Sequence, residues 1–368
     1  MKIVVVSRQG WPHQGPRAFR TAELVEELAR LGHDVTLYSV HREADYKSYM
    51  QKTGVTMKPL VMQIPMNNDG QGFRYNSLDR VIYHTFKKIA DYPLYEFKYR
   101  VSDALSKEEG IDLLITIAVP HEIHFGAALS KRKNPKSFAK CWIADCGDPF
   151  MFNPYSKPLF YFAREEKRWC KEVDYITVPT EQSKDGYYPE FRDKIRVIPQ
   201  GFDFSKTPVS RYKPNPIPIF AYAGQFYDGL RDPSQFLDYL ATLKADFKCV
   251  FFTKSDVPQK YHDMLGEKLI VNLNWKRPDI IFELGKMDFL LNIPNKGSKV
   301  QVPSKLIDYA IAKRPVLSID TDFAQEKQFQ SFFRGDYDDK MNLPDLDTYD
   351  IRNIARQFIE LANNKIRK

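Results

Sequence analysis

The segment Gln301-Val302-Pro303-Ser304-Lys305-Leu306-Ile307-Asp308-Tyr309-Ala310 concentrates residue types that can hold an anion beside a pair of hydroxyls. Pro303 suits the first position of a helix, whose free N–H groups and positive dipole end favour negative charge. Ser304 and Lys305 add a hydroxyl and a cation there, and Asp308 lies one turn on, on the face of Ser304. A carboxylate so placed can accept hydrogen bonds from the two hydroxyls of a ribose. The same residues also fit an ordinary amphipathic helix with a solvated Lys and Asp, so both readings stay open.

A second segment, Gly224-Gln225-Phe226-Tyr227-Asp228-Gly229-Leu230-Arg231, follows the apolar run ending at Ala223. Its glycines have P-loop spacing, but Leu230 and Arg231 stand where Lys and Ser/Thr are required, which rules out a Walker site. A glycine directly after a buried strand lets backbone approach a ligand, and Arg231 can meet a diphosphate with bidentate geometry. A tight turn carrying a surface arginine explains the segment equally well. The loop Ser7–Arg17 holds no G-x-G-x-x-G, so hydride transfer to a dinucleotide loses its main support.

These segments need elements to position them. Lys2–Val6 is a β-branched run. Arg17–Leu31 places Ala18, Ala22, Val25 and Ala29 on one helical face, Gly32 serves as C-cap, and Val35–Val40 returns as a strand. Leu113–Ile117, Trp142–Ala144, Tyr175–Val178 and Ile195–Ile198 are further strands. A proline-rich stretch from Pro208 to Pro218 reads as a linker, after which the rhythm restarts. Strands are expected at Ile219–Ala223, Phe247–Phe252, Phe289–Ile293 and Val316–Ile319, with helices at Gln235–Leu243 and Lys305–Ala312. Such alternation predicts an α/β chain of two Rossmann-like, doubly wound domains facing a central cleft, the default ligand site. The boundaries expected are 1–205, 206–348 and a last helix, 349–368, near the junction.

The 368 residues suit two domains, and 43% hydrophobic residues suffice for their cores. A net charge of +8 favours anionic partners. Cys141, Cys146, Cys170 and Cys249 form no C-x-x-C pair, which argues against a zinc ribbon, a thioredoxin motif or a disulfide scaffold. They read as reduced thiols. The short apolar opening suits a buried strand, not a signal or spanning segment, and the expected location is cytoplasmic.

Taken in order, four pieces resemble the GT-B glycosyltransferases, most closely the retaining, nucleotide-sugar-dependent family 4. Leu31-Gly32-His33-Asp34-Val35 is similar to that group's L-x-x-x-G-H-x-V element. Ile198-Pro199-Gln200-Gly201-Phe202-Asp203 resembles its I-P-N-G-V-D junction, and Tyr222-Ala223-Gly224 through Arg231 its Y-x-G…R loop. Pro303 to Tyr309, followed by Arg314-Pro315-Val316-Leu317, resembles its P-S-K-x-x-E-Y…G-K-P-V-L donor motif.

The resemblance implies roles. Arg231 would neutralise the donor diphosphate as the leaving group gains charge, with Gly224 admitting it closely. Ser304 and Lys305 would hold the distal phosphate, and Asp308 the ribose. No cofactor and no metal are implied, and no obvious His/Cys/carboxylate cluster stands in the sequence. Two departures matter. The family's Glu, eight residues before the ribose acid, falls here at Val300, and Asn295, Lys296 and Ser298 are its candidate replacements. The family's second cation is not clearly placed, and Lys254 is the nearest candidate.

In the first half, His121 follows the Leu113–Ile117 strand and would contact the transferred sugar or the acceptor, unless it is a lone structural histidine. Asp145 and Asp148 end another strand, where they either orient an acceptor hydroxyl or serve a turn. Gly15 and Arg17 open the first helix and would approach the donor phosphate.

Basic and aromatic residues cluster at 85–100 and 131–140, which suits an anionic membrane surface as well as a solvated face. No nucleic-acid motif accompanies them. The favoured function is therefore transfer of a sugar from a nucleotide sugar to a glycan or lipid-linked acceptor, in bacterial surface polysaccharide or glycoconjugate synthesis. The protein would be cytoplasmic and peripheral to the inner face of the cell membrane. The competing readings are a sugar-nucleotide epimerase of similar build and a nucleotide-sugar-binding module without turnover.

Overall fold

The computed structural model describes residues 1–13, 15–63, 91, 93–153, 158–273, 275–295 and 304–367, without the side chains of Pro16 and Ser304. The chain divides into two units, one formed by Met1–Phe202 with Tyr349–Lys368, the other by Asp203–Thr348.

The first unit is built on a parallel sheet of seven strands. They are β1 (Lys2–Ser7), β2 (Asp34–Ser39), β3 (Thr56–Pro59), β4 (Leu113–Ala118), β5 (Cys141–Cys146), β6 (Tyr175–Val178) and β7 (Ile195–Val197), in the order β3-β2-β1-β4-β5-β6-β7. Register runs Val4 beside Leu114 and Leu114 beside Trp142. Because side chains alternate along a strand, Val4, Val6, Leu114, Trp142 and Ala144 face one way and Ile3, Val5, Ile115 and Ile143 the other. The first face is covered by α3 (Glu96–Leu105), α4 (Glu122–Lys133) and α5 (Phe162–Glu172), through Phe97, Val101, Phe125 and Trp169. The second face carries α1 (Pro16–Arg30), with α2 (Tyr46–Thr53) beside it, through Leu24, Leu28 and Tyr49.

Sheets buried on both faces need both covers, and the second is completed from the far end of the chain. Helix α11 (Ile351–Ile366) lays Ile351, Ile354, Ala355, Phe358 and Ala362 into the same cluster as Ile3 and Val5. Gly201 permits the approach, since a Cβ there would sit 2.6 Å from the Ile351 side chain.

The second unit has a five-stranded parallel sheet, β10-β9-β8-β11-β12, from β8 (Ile219–Ala223), β9 (Lys248–Phe252), β10 (Leu269–Asn272), β11 (Phe289–Asn292) and β12 (Val316–Ser318). Its helices are α6 (Ser234–Thr242), α7 (Gln259–Leu265), α8 (Arg277–Leu284), α9 (Ser304–Ala312) and α10 (Glu326–Phe333). Much of the chain's aromatic content is spent here. Phe220, Phe236, Phe289, Phe329 and Phe332 fill one face, with Phe220 stacked on Phe289 at 4.9 Å. Ala221, Val250, Leu290, Leu306 and Tyr309 fill the other.

Candidate functional site

In the second unit the carboxyl ends of β8, β9 and β10 surround a cavity of about 260 Å³. Parallel sheets place ligands there because the loops leaving the strand ends are free to diverge. Gly224, Lys254, Trp275, Arg277, Lys305 and Asp308 line it. Gly224 has φ +148°, and a Cβ would lie 2.8 Å from the Tyr222 hydroxyl, so only glycine fits this turn. Tyr309, from α9, donates its hydroxyl to the Leu291 carbonyl at 3.0 Å and fastens that helix to the strand ends.

Two cations converge with no carboxylate between them. The Lys305 amine donates to the Ile293 carbonyl at 2.8 Å and lies 4.8 Å from the centre of the Tyr222 ring. Burial, reinforced by the nearby positive charge of Arg231, pushes Lys305 down to about 7. Arg231 donates to the Gln225 carbonyl at 3.4 Å and faces the Tyr222 hydroxyl. Among the described residues neither side chain has an ion-pair partner, and Lys254 stands exposed on the same cavity.

Asp308 differs from expectation. Its carboxylate already has a partner in Arg277, whose Nη2 is 2.5 Å and Nε 3.0 Å from Oδ1. Burial raises the Asp308 carboxyl above its ordinary range, and Arg277 opposes the rise. Arg277 opens α8 after β10, a strand the sequence reading had missed, although Leu269-Ile270-Val271 carries the β-branched signal for it. The Asn295 carboxamide oxygen is buried and unpaired among the described residues. Gln301 to Pro303, Lys296, Ser298, Val300 and the Ser304 side chain lie outside the described residues.

In the first unit, Gly15 is the N-cap of α1 with open space around it. Arg17 pairs with Asp148 at 2.6 Å, its guanidinium lying so close over Gly147 that a Cβ there would sit 1.7 Å from it. Asp145 is corrected as an acceptor-facing acid. It is fully buried, held by Arg20 at 2.5 Å and by the Thr177 hydroxyl at 2.7 Å, so its lone pairs are used inside the protein.

His121 is buried too, with Nε2 3.1 Å from the Asp148 carbonyl, and burial followed by the Arg17 charge lowers it to about 3. Nor is it lone. His124 and Cys146 each bring a donor atom within 4.8 Å of it, so the expectation of no His/Cys cluster is overturned. The signal was present as His121-x-x-His124, a spacing that brings the two rings together edge to face, 5.6 Å apart.

Of the basic-aromatic segment 85–100, residues 85–90 and 92 are not described, and Tyr99 is exposed. Phe97 is core, and Lys98 is buried against Glu165 at 3.2 Å. In 131–140, Lys131 donates to the Glu172 carbonyl and Lys140 pairs with Asp112 at 2.7 Å. Among the described residues no helix is long and apolar enough to cross a membrane.

With that geometry in place, comparison with known proteins decides the family. The model of Glycosyltransferase Family 4 matches residues 18–206, just over half of the chain. The chain belongs to glycosyltransferase family 4. No curated relative matches. Solved structures agree in fold. A glycosyltransferase from Rickettsia africae ESF-5 superposes with TM-score 0.59 at 12% identity, covering 100% of this chain and 99% of that one. HepE from Anabaena, solved with UDP and glucose, gives 0.56 at 9% identity, covering 99% and 100%. The lipopolysaccharide outer core galactosyltransferase WaaB gives 0.55 at 13%, covering 100% and 99%. At such identities the likeness carries the GT-B fold alone, and the family 4 match carries the glycosyltransferase assignment.

Proposed function

We propose that this family 4 enzyme moves a sugar from a nucleotide-sugar donor to a glycan or lipid-linked acceptor, in bacterial surface polysaccharide or glycoconjugate synthesis. The nucleotide sits in the second unit's cavity. The observation that carries this reading is the convergence of Arg231 and Lys305, two cations without a carboxylate, where a buried ammonium has been pushed to about 7. A diphosphate relieves that repulsion. It also gains the most from it as the glycosidic bond breaks and charge builds on the leaving oxygen, which is where fixed cations lower a barrier. Lys254 lies on the same cavity for the phosphate path, Trp275 and Phe252 offer ring surface to a base, and Asp308 offers a carboxylate to ribose. HepE was solved with UDP, which is consistent with that donor class.

By family analogy the transfer retains the anomeric configuration, and Arg231 and Lys305 supply the leaving-group charge in place of a metal. Residues 1–205 serve the acceptor, with Asp148 the acid on that side, and 206–348 serve the donor. Incubation with a panel of nucleotide sugars and glycan acceptors tests this. Acceptor-dependent release of free nucleotide is expected. An epimerised donor, or tight binding without turnover, would replace the reading by one of its two competitors. Lys305→Ala and Arg231→Ala should each cut transfer by roughly 10²–10³ with little change in melting temperature. A matching loss of stability would assign both residues to the fold instead.

The enzyme works in the cytoplasm against an anionic membrane, and among the described residues the surface best suited to that is the start of α5. Phe160 is 83% exposed, with Phe152, Leu159 and Tyr161 also exposed around it. The helix that follows presents Arg164, Lys167, Arg168 and Lys171, of which Arg164 and Lys171 have no ion pair among the described residues. Aromatics that enter the interface beside cations that meet lipid phosphates make such a surface. Sedimentation with vesicles should show binding that needs anionic lipid and falls at least tenfold in Phe160→Ser. Equal binding to neutral vesicles would end this part of the proposal.

A further inference from the structure

At the carboxyl ends of β4 and β5, within the first unit, two histidines and a cysteine close on one another. His121 is the N-cap of α4, His124 lies in its first turn, and Cys146 ends β5. One donor atom from each lies within 4.8 Å of the other two, and all three residues are buried.

The hydrogen bonds show which ring atoms are left to bind. A backbone carbonyl can only accept, so the Asp148 carbonyl, 3.1 Å from His121 Nε2, places the ring proton on that nitrogen. His121 Nδ1 is therefore a bare lone pair, and it is buried with no partner among the described residues. Such an orphan is unfavourable unless something fills it. His124 has its Nδ1 2.8 Å from the Thr116 hydroxyl, which also accepts from Trp142 Nε1 at 2.8 Å. Its Nε2 points at Cys146 Sγ, 3.3 Å away.

We propose that His121 Nδ1, His124 Nε2 and Cys146 Sγ form a binding site for Zn²⁺. Two imidazoles and a thiolate are a borderline-soft set that this ion prefers. With zinc–sulfur near 2.3 Å and zinc–nitrogen near 2.0 Å, a tetrahedral edge between them is about 3.5 Å, close to the His124–Cys146 separation. The remote nitrogen of each ring already rests on an oxygen, Asp148 O or Thr116 Oγ1, as metal-ligating histidines require to hold their orientation. On binding, the Cys146 S–H bond breaks, its proton passes to solvent, and a sulfur–zinc bond forms. The ion ties the turn entering α4 to the end of β5, and so fixes Gly147 and Asp148, on which Arg17 rests. This site lies outside the second unit's cavity and does not depend on the glycosyl-transfer reading.

The test uses the whole chain, stripped with a chelator and then titrated with Co²⁺ or Zn²⁺ alone. One ion per chain is expected, and Co²⁺ should give thiolate-to-metal absorption in the near ultraviolet with tetrahedral bands in the visible. Cys146→Ala should remove the near-ultraviolet band, Cys170→Ala should keep it, and His121→Gln should weaken zinc binding at least tenfold. Zinc should raise the melting temperature of the wild type but not of Cys146→Ala. If Cys146→Ala fails to fold, the thiolate band of the wild type and its behaviour in Cys170→Ala and His121→Gln decide alone. Less than a tenth of an ion per chain, a bound ion without the thiolate band, or a band unchanged in His121→Gln would each overturn the site.

Discussion

At the scale of single residues, Lys305 sets a pH signature. Burial, and then the facing charge of Arg231, pushes its ammonium down to about 7. A bound diphosphate favours the charged form, so binding draws in a proton wherever Lys305 starts neutral. Affinity should be highest below about pH 7 and fall by up to tenfold per unit as pH rises above it, until the pKa of the complex is reached. Calorimetry at pH 8 in two buffers of different ionisation enthalpy should count close to one proton taken up; no uptake would mean the phosphate never meets Lys305. Asp308 gives a second test, complicated by Arg277. If it accepts from ribose, Asp308→Asn should weaken nucleotide binding by roughly 1.5–3 kcal/mol, and a deoxyribose analogue should lose much less. Equal losses would leave Asp308 as the partner of Arg277 only. Gly224, Lys254, Lys305 and Asp308, each singled out by its motif or strand end, line one cavity. What sequence could not show was pairing across the chain. Asp145 looked like a strand-end acid, yet its partner Arg20 lies 125 residues away in sequence. Arg277 and the His124–Cys146 contact were hidden for the same reason.

At the scale of elements, strands with continuous β-branched or apolar runs were readable, the edges β7 and β12 among them, whereas the edges β3 and β10 were not. β3 (Thr56–Pro59) and β10 (Leu269–Asn272) are four-residue edges, and only Met57 and Leu269 in them are buried. β3 has no apolar run to read, whereas β10 carries only the short run Leu269-Ile270-Val271. Helix α5 escaped for another reason. Its buried stripe is Phe162, Glu166, Trp169 and Cys170, and the glutamate breaks the hydrophobic period. Burial pushes that Glu166 carboxyl up to about 7. Helix α11, by contrast, was plain as a final amphipathic segment, but not as part of the first unit's core. There its Phe358 is fully buried with Ile3, Val5 and Leu28. Phe358→Ala should cost about 3–5 kcal/mol, the usual range for a buried phenylalanine. Chemical denaturation followed by tryptophan emission measures it; a cost below 1 kcal/mol would place α11 loosely on the sheet.

At the scale of the whole molecule, the chain order makes the two units unequal. The second unit is one continuous stretch, Asp203–Thr348, whereas the first closes only when Tyr349–Lys368 returns to it. Removing residues 349–368 would expose the face that Ile351, Ile354, Ala355, Phe358 and Ala362 cover. Each large apolar side chain contributes about 1.5–3 kcal/mol on burial, so the loss from Ile351, Ile354 and Phe358 is roughly 5–9 kcal/mol. A domain of this kind is stable by only about 5–15 kcal/mol, and the truncated first unit should therefore be mostly unfolded at 37 °C. The second unit keeps its entire sheet and cavity in that truncation. Tryptophan separates the outcomes, because Trp11, Trp142 and Trp169 lie in the first unit and Trp275 lines the cavity of the second. In the chain ending at Thr348, Trp142 and Trp169 should shift to solvent-like emission, while nucleotide still quenches Trp275 with an affinity within about threefold of the full chain. The same quenching should appear in the isolated segment 203–348. Loss of nucleotide binding on truncation, with the segment 203–348 folded, would mean that the donor cavity needs the first unit. A truncated chain whose Trp142 and Trp169 stay buried would mean that the sheet does not need its last helix.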